Sequence, residues 1–197
     1  MRVLALGLGI GFLALSGCTP DFVQQNESNV LLEVIQVEAD AGGEGQGGAF
    51  LLSDVVDTKG GSFNDNVVIT LRSVPKNQNP ASLPPGEFES VIIERYEIAY
   101  RRSDGHNLEG VDVPYRITGN ITQNIPAGGE GDVAIIVVRH AAKDEPPLLN
   151  IANGGGQELL TVFADITLHG RTLSQKGVRA RATLQITFGN FVRATGG

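Results

Sequence analysis

Two segments near the end of the chain alternate apolar and polar residues, and this pattern limits the fold more than any other feature. The first runs from Thr161 to Leu168 and the second from Val178 to Phe188, where Arg179 and Arg181 occupy polar positions. A two-residue period places alternate side chains on opposite faces of a β-strand, so each segment is predicted to be a strand with one solvated face. The polar connection over residues 169–177 predicts that the two strands form an antiparallel hairpin.

Apolar runs bounded by turn-forming residues indicate further strands upstream. With the hairpin they make eight candidate strands: Val30–Ala39, Phe50–Val56, Val67–Ser73, Val91–Arg101, Val113–Thr118, Asp132–Arg139, Leu159–His169 and Val178–Phe188. The helix-like stretch from Arg139 to Lys143 is short, because Pro146 and Pro147 follow it closely. The 26 glycines and 9 prolines lie between apolar segments and predict many turns. We therefore expect an all-β, antiparallel fold of about seven or eight strands.

The closing hairpin, FADITLHGRTLSQKGVRARATLQITF, resembles the last hairpin of bacterial immunoglobulin-like sandwiches. The resemblance implies an antiparallel two-sheet immunoglobulin-like β-sandwich, and a lipocalin-like barrel is the alternative. The chain has no tryptophan and 1 cysteine, so it lacks the buried tryptophan and the cysteine pair of antibody domains.

The beginning of the chain has the pattern of a targeting signal. Arg2 precedes the uncharged, apolar run Val3–Ala14, which is shorter than the roughly 20 residues that a membrane-spanning helix needs. The following LSGC, which ends at Cys18, resembles the lipobox of bacterial lipoproteins. This resemblance implies that the signal peptide, residues 1–17, is removed and that Cys18 carries covalent lipid. The alternative is an ordinary secretory signal that leaves a free thiol.

The same resemblance indicates a location in the cell envelope. Two or more acyl chains on Cys18 would form a stable membrane anchor. Thr19, rather than an aspartate, follows the cysteine, which by the rule for enteric lipoproteins implies the outer membrane. Residues 18–29 are then the lipidated cysteine and a flexible tether, residues 30–191 are the β-sandwich domain, and residues 192–197 are a C-terminal tail.

Charge and cysteine content limit the remaining possibilities. The formal net charge is −7, which argues against a nucleic-acid partner. A cysteine consumed by lipid leaves none for a disulfide, so the domain depends on its hydrophobic core. The three histidines, His106, His140 and His169, lie in or beside predicted loops without the spacing of a shared metal face, which argues against zinc.

Two acidic loops are candidate calcium sites of low affinity, because they supply carboxylate and amide oxygens. The candidate ligands are Asp54, Asp57, Asp65, Asp104, Asn107, Glu109 and Asp112. Neither loop has the regular D-x-[DN]-x-[DN]-G pattern, and turns stabilised by the same side chains without metal are the alternative. Beyond this calcium hypothesis, no cofactor is predicted.

The segment Val91–Arg101 combines tyrosine, arginine and apolar residues. Tyrosine and arginine are common anchors at protein interfaces, so Tyr96, Tyr100, Arg95 and Arg101 are candidates for a partner-binding face. The alternative is a central strand whose side chains cover the core.

These observations predict a membrane-anchored envelope lipoprotein with a structural or protein-recognition role and an envelope protein as partner. The sequence has no G-x-S-x-G motif and its one cysteine is assigned to lipid, so no catalysis is expected. A calcium- or carbohydrate-binding module is the first alternative. A hydrolase with a site built from distant loops is the second.

Overall fold

A computed structural model of the chain describes residues 28–42, 45–56, 63–77, 86–154 and 158–191. The predicted signal peptide, Cys18 and nearly all of the tether lie outside these ranges. Asp57 and the tail, residues 192–197, lie outside them as well.

Eight strands and two short helices make up the described part of the chain. The strands are β1 (Val30–Asp40), β2 (Leu51–Asp54), β3 (Asp65–Pro75), β4 (Val91–Arg101), β5 (Ile117–Ile125), β6 (Glu130–Val138), β7 (Leu160–Thr172) and β8 (Gly177–Gly189). The helices are α1 (His140–Lys143) and α2 (Leu148–Asn153), and a 3-10 turn spans Glu87–Glu89. Neither helix in the described ranges has the length and apolar character needed to span a membrane.

The strands form two sheets. A three-stranded sheet has the order β1-β3-β6, and a five-stranded sheet has the order β2-β8-β7-β4-β5. The all-β prediction is therefore confirmed. The pairs are antiparallel except β2 with β8, which is parallel. The prediction of a wholly antiparallel fold is wrong at this pair. A parallel pair needs a long connection, and the many residues between β2 and β8 permit it.

The hydrophobic core lies between the inner faces of the two sheets. Ile69 and Leu71 of β3 and Ile166 and Leu184 of β7 and β8 belong to one cluster of buried side chains, each exposed by no more than 1%. The alternating pattern of β8 is preserved, since its even-numbered residues from Ala180 to Phe188 are buried. Burial of apolar area is the main stabilising contribution to such a core, at about 25 cal/mol per Å².

The fifth strand differs most from its prediction. The sequence predicted Val113–Thr118, whereas β5 runs from Ile117 to Ile125. The segment GNITQN inside β5 is polar and contains residues with low strand propensity. Its pairing with β4 nevertheless makes it a strand, and Gly119 lies directly opposite Tyr96.

The closing hairpin is tighter than predicted. Strand β7 continues to Thr172 and β8 begins at Gly177, so residues 173–176 connect them. His169 therefore lies within β7, not beside a loop. Helix α2 was not predicted; it follows the cis peptide bond between Pro146 and Pro147.

Candidate functional site

The outer face of the three-stranded sheet is acidic. Its outward side chains in the described strands include five exposed carboxylates and one arginine, namely Glu33, Glu38, Asp40, Glu130, Asp132 and Arg72. Arg72 pairs with Glu130 at 2.5 Å, and Thr70 donates a hydrogen bond to Asp132 at 2.8 Å. This face carries much of the excess negative charge of the chain.

The outer face of the five-stranded sheet is basic instead. Its strands carry five exposed arginines, one histidine and three carboxylates, namely Arg95, Arg101, Arg171, Arg179, Arg181, His169, Glu94, Glu97 and Asp165. The side chains of adjacent strands meet here because residues directly opposite one another share a face. We call this surface the basic face.

Each carboxylate of the basic face is paired with a different arginine. The Arg171 Nη2–Glu94 Oε1 and Arg101 Nε–Asp165 Oδ2 distances are 2.7 Å. Arg95 Nη1 lies 2.5 Å from Glu97 Oε1.

Two arginines of β8 remain outside these pairs. Within the part of the chain that the structure describes, Arg179 and Arg181 make no ion pair. Their charges are consequently available to an acidic partner.

Three basic side chains form a row across the basic face. Arg95 of β4 lies opposite His169 of β7, and His169 lies opposite Arg179 of β8. Partial burial, together with the charges of Arg95 and Arg179, lowers the pKa of His169, and Glu97 opposes the effect only in part. The imidazole is therefore held in its neutral form to lower pH than usual.

A hollow of about 380 Å³ opens beside this row. Its lining residues are His169, Gly170, Gly177, Val178 and Arg179. A second hollow on the same face, of about 290 Å³, lies between β4, β5 and β7. Its lining includes two carboxylates, Glu97 and Asp165, and one arginine, Arg116. The first hollow is thus the more cationic of the two.

The predicted partner face of β4 is divided between the two sides of the sheet. Tyr96 and Tyr100 are only 8% and 6% exposed and belong to the core, whereas Arg95 and Arg101 point outward. A β-bulge between Ile93 and Arg95 shifts the alternation, so that Ile93 and Tyr96 are both buried. The two tyrosines are therefore core residues in this structure, as in the alternative interpretation of the strand.

Arg101 has contacts that hold its guanidinium on the outer surface. It lies 4.8 Å from the centroid of the Phe163 ring and pairs with Asp165. Asp165 also accepts a hydrogen bond from Thr183 at 2.9 Å. These contacts link β4, β7 and β8 across the basic face.

Two calcium candidates of the first acidic loop, Asp54 and Asp65, are buried and have different protein partners. Asp54 is buried and accepts a hydrogen bond from the Val56 amide at 3.1 Å. Asp65 is 1% exposed and lies 3.1 Å from the Nζ of Lys143, which is itself 4% exposed. Ser53 donates to the same carboxylate at 2.6 Å. Asp65 is thus neutralised by a lysine instead of facing an open loop.

The second acidic loop is held by hydrogen bonds of its own. Asp104 pairs with Arg102, and Glu109 pairs with Arg116 at 2.7 Å. The side chains of Asn107 and Asp112 accept hydrogen bonds from backbone amides at 2.7 Å and 3.0 Å. Arg102 and Arg116 lower the pKa values of Asp104 and Glu109 by hydrogen bonding to them. Across the described ranges, no three carboxylate, cysteine or histidine side chains converge as a metal site would require.

The buried group of Asp65, Lys143 and Ser53 was not predicted by the sequence. Ser53 is fully buried, and the group joins β2, β3 and α1. Tyr100 extends this tie, because its hydroxyl donates to the Val137 carbonyl at 2.6 Å and so links β4 to β6. Burial chiefly raises the pKa of Tyr100 far above its usual value. The enclosure of these groups fits a role in holding the two sheets together.

Comparison with known proteins adds no assignment. No protein-family model matches the chain, and no curated protein matches it either.

Proposed function

We propose that the chain is a non-catalytic, lipid-anchored envelope lipoprotein whose β-domain recognises an acidic protein through its basic face. The observation that carries this proposal is the separation of charge between the outer faces of the two sheets. Although the chain is acidic overall, five arginines lie on one sheet and five carboxylates on the outer face of the other. An acidic partner is attracted by the first surface and repelled by the second.

The charge pattern favours recognition over simple solubility. Arginine is enriched at protein interfaces, and complementary charge speeds encounter and fixes orientation. Arg179 and Arg181 are both exposed on the outer face of β8. A partner can therefore reach both side chains from that face of the sheet.

The anchor and the fold complete the proposal. Residues 1–17 act as the signal peptide, Cys18 carries lipid, and the tether holds the domain at the outer membrane. The domain is of the immunoglobulin-like sandwich type, which is supported by the antiparallel β7–β8 hairpin and by a core shared between two sheets. A tethered domain with opposite charges on its two faces has a preferred orientation toward its partner.

Site-specific photo-cross-linking in intact cells tests the recognition role. A photoreactive amino acid replaces exposed Gln185 on the basic face, and a matched variant carries it at exposed Ala134 on the acidic face. We expect a discrete cross-linked protein from position 185 and none from position 134. Equal cross-linking from both positions, or none from position 185, would contradict the proposal.

Substitution of the lipobox cysteine tests the anchor separately. Cys18→Ala should remove acyl labelling and move the protein from the membrane fraction to the soluble fraction, because the acyl chains supply the stable membrane affinity. A Cys18→Ala chain that keeps its membrane association would show that the lipid assignment is wrong, while leaving the cross-linking result interpretable.

A further inference from the structure

We propose that one end of the β-domain rests on the lipid surface to which Cys18 anchors the chain, with Phe88 and Leu173 inserted among the lipid headgroups. The proposal rests on the lipid anchor of the proposed function, and it goes beyond that function by assigning a membrane-contact surface to the domain itself. It follows from the place where the chain enters the domain, from the apolar side chains exposed there and from the balance of charge around them.

The entry of the chain into the domain lies beside two turns. The Lys76 amide donates to the Asn29 carbonyl at 2.8 Å, and Asn29 Nδ2 donates to Glu89 at 3.1 Å. The Ser174 amide, in the β7–β8 turn, donates to the Phe88 carbonyl at 3.1 Å. We call this end of the domain the tether end; its described residues beyond the strands are 28–29, 76–77, 86–90, 126–129 and 173–176.

The length of the tether keeps this end near the lipid. About ten residues separate Cys18 from Ser28, and they span at most roughly 35 Å when fully extended. Strand β4 leads away from the tether end and is itself about 35 Å long. The tether end is therefore the part of the domain that a lipid on Cys18 holds closest to the membrane.

Two large apolar side chains are exposed at the tether end. Phe88 is 74% exposed, the largest value among the large apolar side chains of the described ranges, and Leu173 is 46% exposed. Such side chains gain free energy when they leave water for the boundary between headgroups and acyl chains. Two of them bind lipid weakly, but the anchor makes the contact intramolecular, so a weak affinity is sufficient.

The charges at the tether end balance. Among its described residues, Lys76 and Lys176 offset Glu87 and Glu89. Anionic headgroups therefore neither attract nor repel this end strongly, and apolar contact decides whether it docks. We expect the same contact with zwitterionic and with anionic membranes.

Contact at this end also orients the domain. Strands β4, β7 and β8 each have one end there, so they rise from the membrane instead of lying on it. The basic face then points sideways, where a neighbouring envelope protein can reach it.

Tryptophan fluorescence tests the contact, because the chain contains no tryptophan of its own. Phe88→Trp places the probe at the tether end. Leu108→Trp is the matched control, since Leu108 is 62% exposed in the loop that follows the opposite end of β4. The full lipidated chain is reconstituted in vesicles of phosphatidylcholine and in vesicles of phosphatidylethanolamine with phosphatidylglycerol. With lipids brominated on their acyl chains, we expect quenching and a shift to shorter wavelength for Phe88→Trp, and neither for Leu108→Trp.

A second pair of variants measures the contribution of Phe88. In a chain whose probe is Leu173→Trp, Phe88→Ser should lower the ratio of docked to undocked domain about tenfold, because burial of a large apolar side chain is lost. Leu108→Ser in the same chain should leave the ratio unchanged. Equal quenching at positions 88 and 108, equal effects of the two serine variants, or quenching only in anionic vesicles would overturn the proposal.

Acyl labelling of the same chains separates this proposal from the proposed function. A labelled, membrane-bound chain with an unquenched tryptophan at position 88 refutes the contact surface and leaves the anchor intact. A chain that carries no acyl label and does not bind vesicles refutes the anchor, and this proposal with it. Cross-linking from position 185 bears on the recognition role alone.

Discussion

The buried ion pair between Asp65 and Lys143 allows a strict test of what joins α1 to the two sheets. We consider Lys143→Met, Asp65→Asn and the double variant. The methionine keeps the length and much of the apolar volume of the lysine. The asparagine keeps one oxygen, which can accept from the Gly42 amide as Oδ1 does, while its NH2 group replaces Oδ2 and can donate to the Ser53 hydroxyl. Each single variant therefore removes one charge and keeps most of the volume of the side chain.

The structure gives the expected magnitude. Nζ of Lys143 and Oδ2 of Asp65 are 3.1 Å apart, and both side chains are at least 96% buried. At an effective dielectric constant of about 20, two charges at this distance attract by roughly 5 kcal/mol. Removal of one partner leaves the other charge buried and unpaired, which costs about 3–5 kcal/mol. The double variant should cost only about 1 kcal/mol, because neither charge remains.

Urea unfolding of the purified chain, followed by circular dichroism, measures these differences. With a slope of about 2 kcal/mol per M, a loss of 4 kcal/mol lowers the midpoint by about 2 M. The exposed pair of Arg72 and Glu130 is the control, since Arg72→Gln should cost at most about 1 kcal/mol.

Two results would refute the reasoning about the buried pair. In one, Lys143→Met alone costs less than about 1 kcal/mol, so that the buried carboxylate does not need its lysine. In the other, the double variant costs as much as the two single variants together, so that the charges are not coupled.

Three other predictions concern single residues. Gly119→Ala should destabilise the domain by about 1–3 kcal/mol, because a Cβ there would lie 2.4 Å from the Tyr96 ring, whereas Gly177→Ala should be nearly neutral; similar losses in urea unfolding would contradict this. Tyr100→Phe should cost about 0.5–1.5 kcal/mol through loss of the hydrogen bond between the sheets, and an unchanged unfolding midpoint would contradict that assignment. The pKa of His169 is lowered in the folded state, so the unfolded chain binds the proton first as the pH falls below about 6.5, and folding stability is lost there. Between about pH 7.5 and 5.5 the wild type should therefore lose stability relative to His169→Gln, and parallel stability curves would show that His169 is not perturbed.

The candidate site could be predicted only in part. The alternation of β8 correctly placed Arg179 and Arg181 on the solvated face, and Arg95 and Arg101 were identified as surface candidates. The sequence places His169 at the end of a predicted strand, in or beside a loop, because it does not show that β7 continues to Thr172. The row that joins Arg95, His169 and Arg179 depends on the pairing of three strands, which local patterns do not specify.

Tertiary contacts also determined the burial of the β4 tyrosines and the position of β5, which the sequence pattern did not predict correctly. A simple two-residue period would place Ile93 on one face of β4 and Tyr96 and Tyr100 on the other. The bulge between Ile93 and Arg95 shifts this alternation, so all three side chains are buried in the core. The polar residues of β5 became a strand because β4 supplied their hydrogen-bond partners.

The sequence by itself determined the all-β character and the solvated face of the closing hairpin. Both follow from a two-residue period, which acts within one strand and needs no knowledge of its neighbours. Only the tertiary structure decided that the carboxylates of β1 and β6 share one outer face while the arginines of β4, β7 and β8 share the other. It also brought Lys143 to Asp65 across 78 residues of chain. The physical reason is that the charge of a surface and the pairing of buried groups depend on which strands become neighbours. The order of strands is set by contacts between segments that are far apart in the sequence.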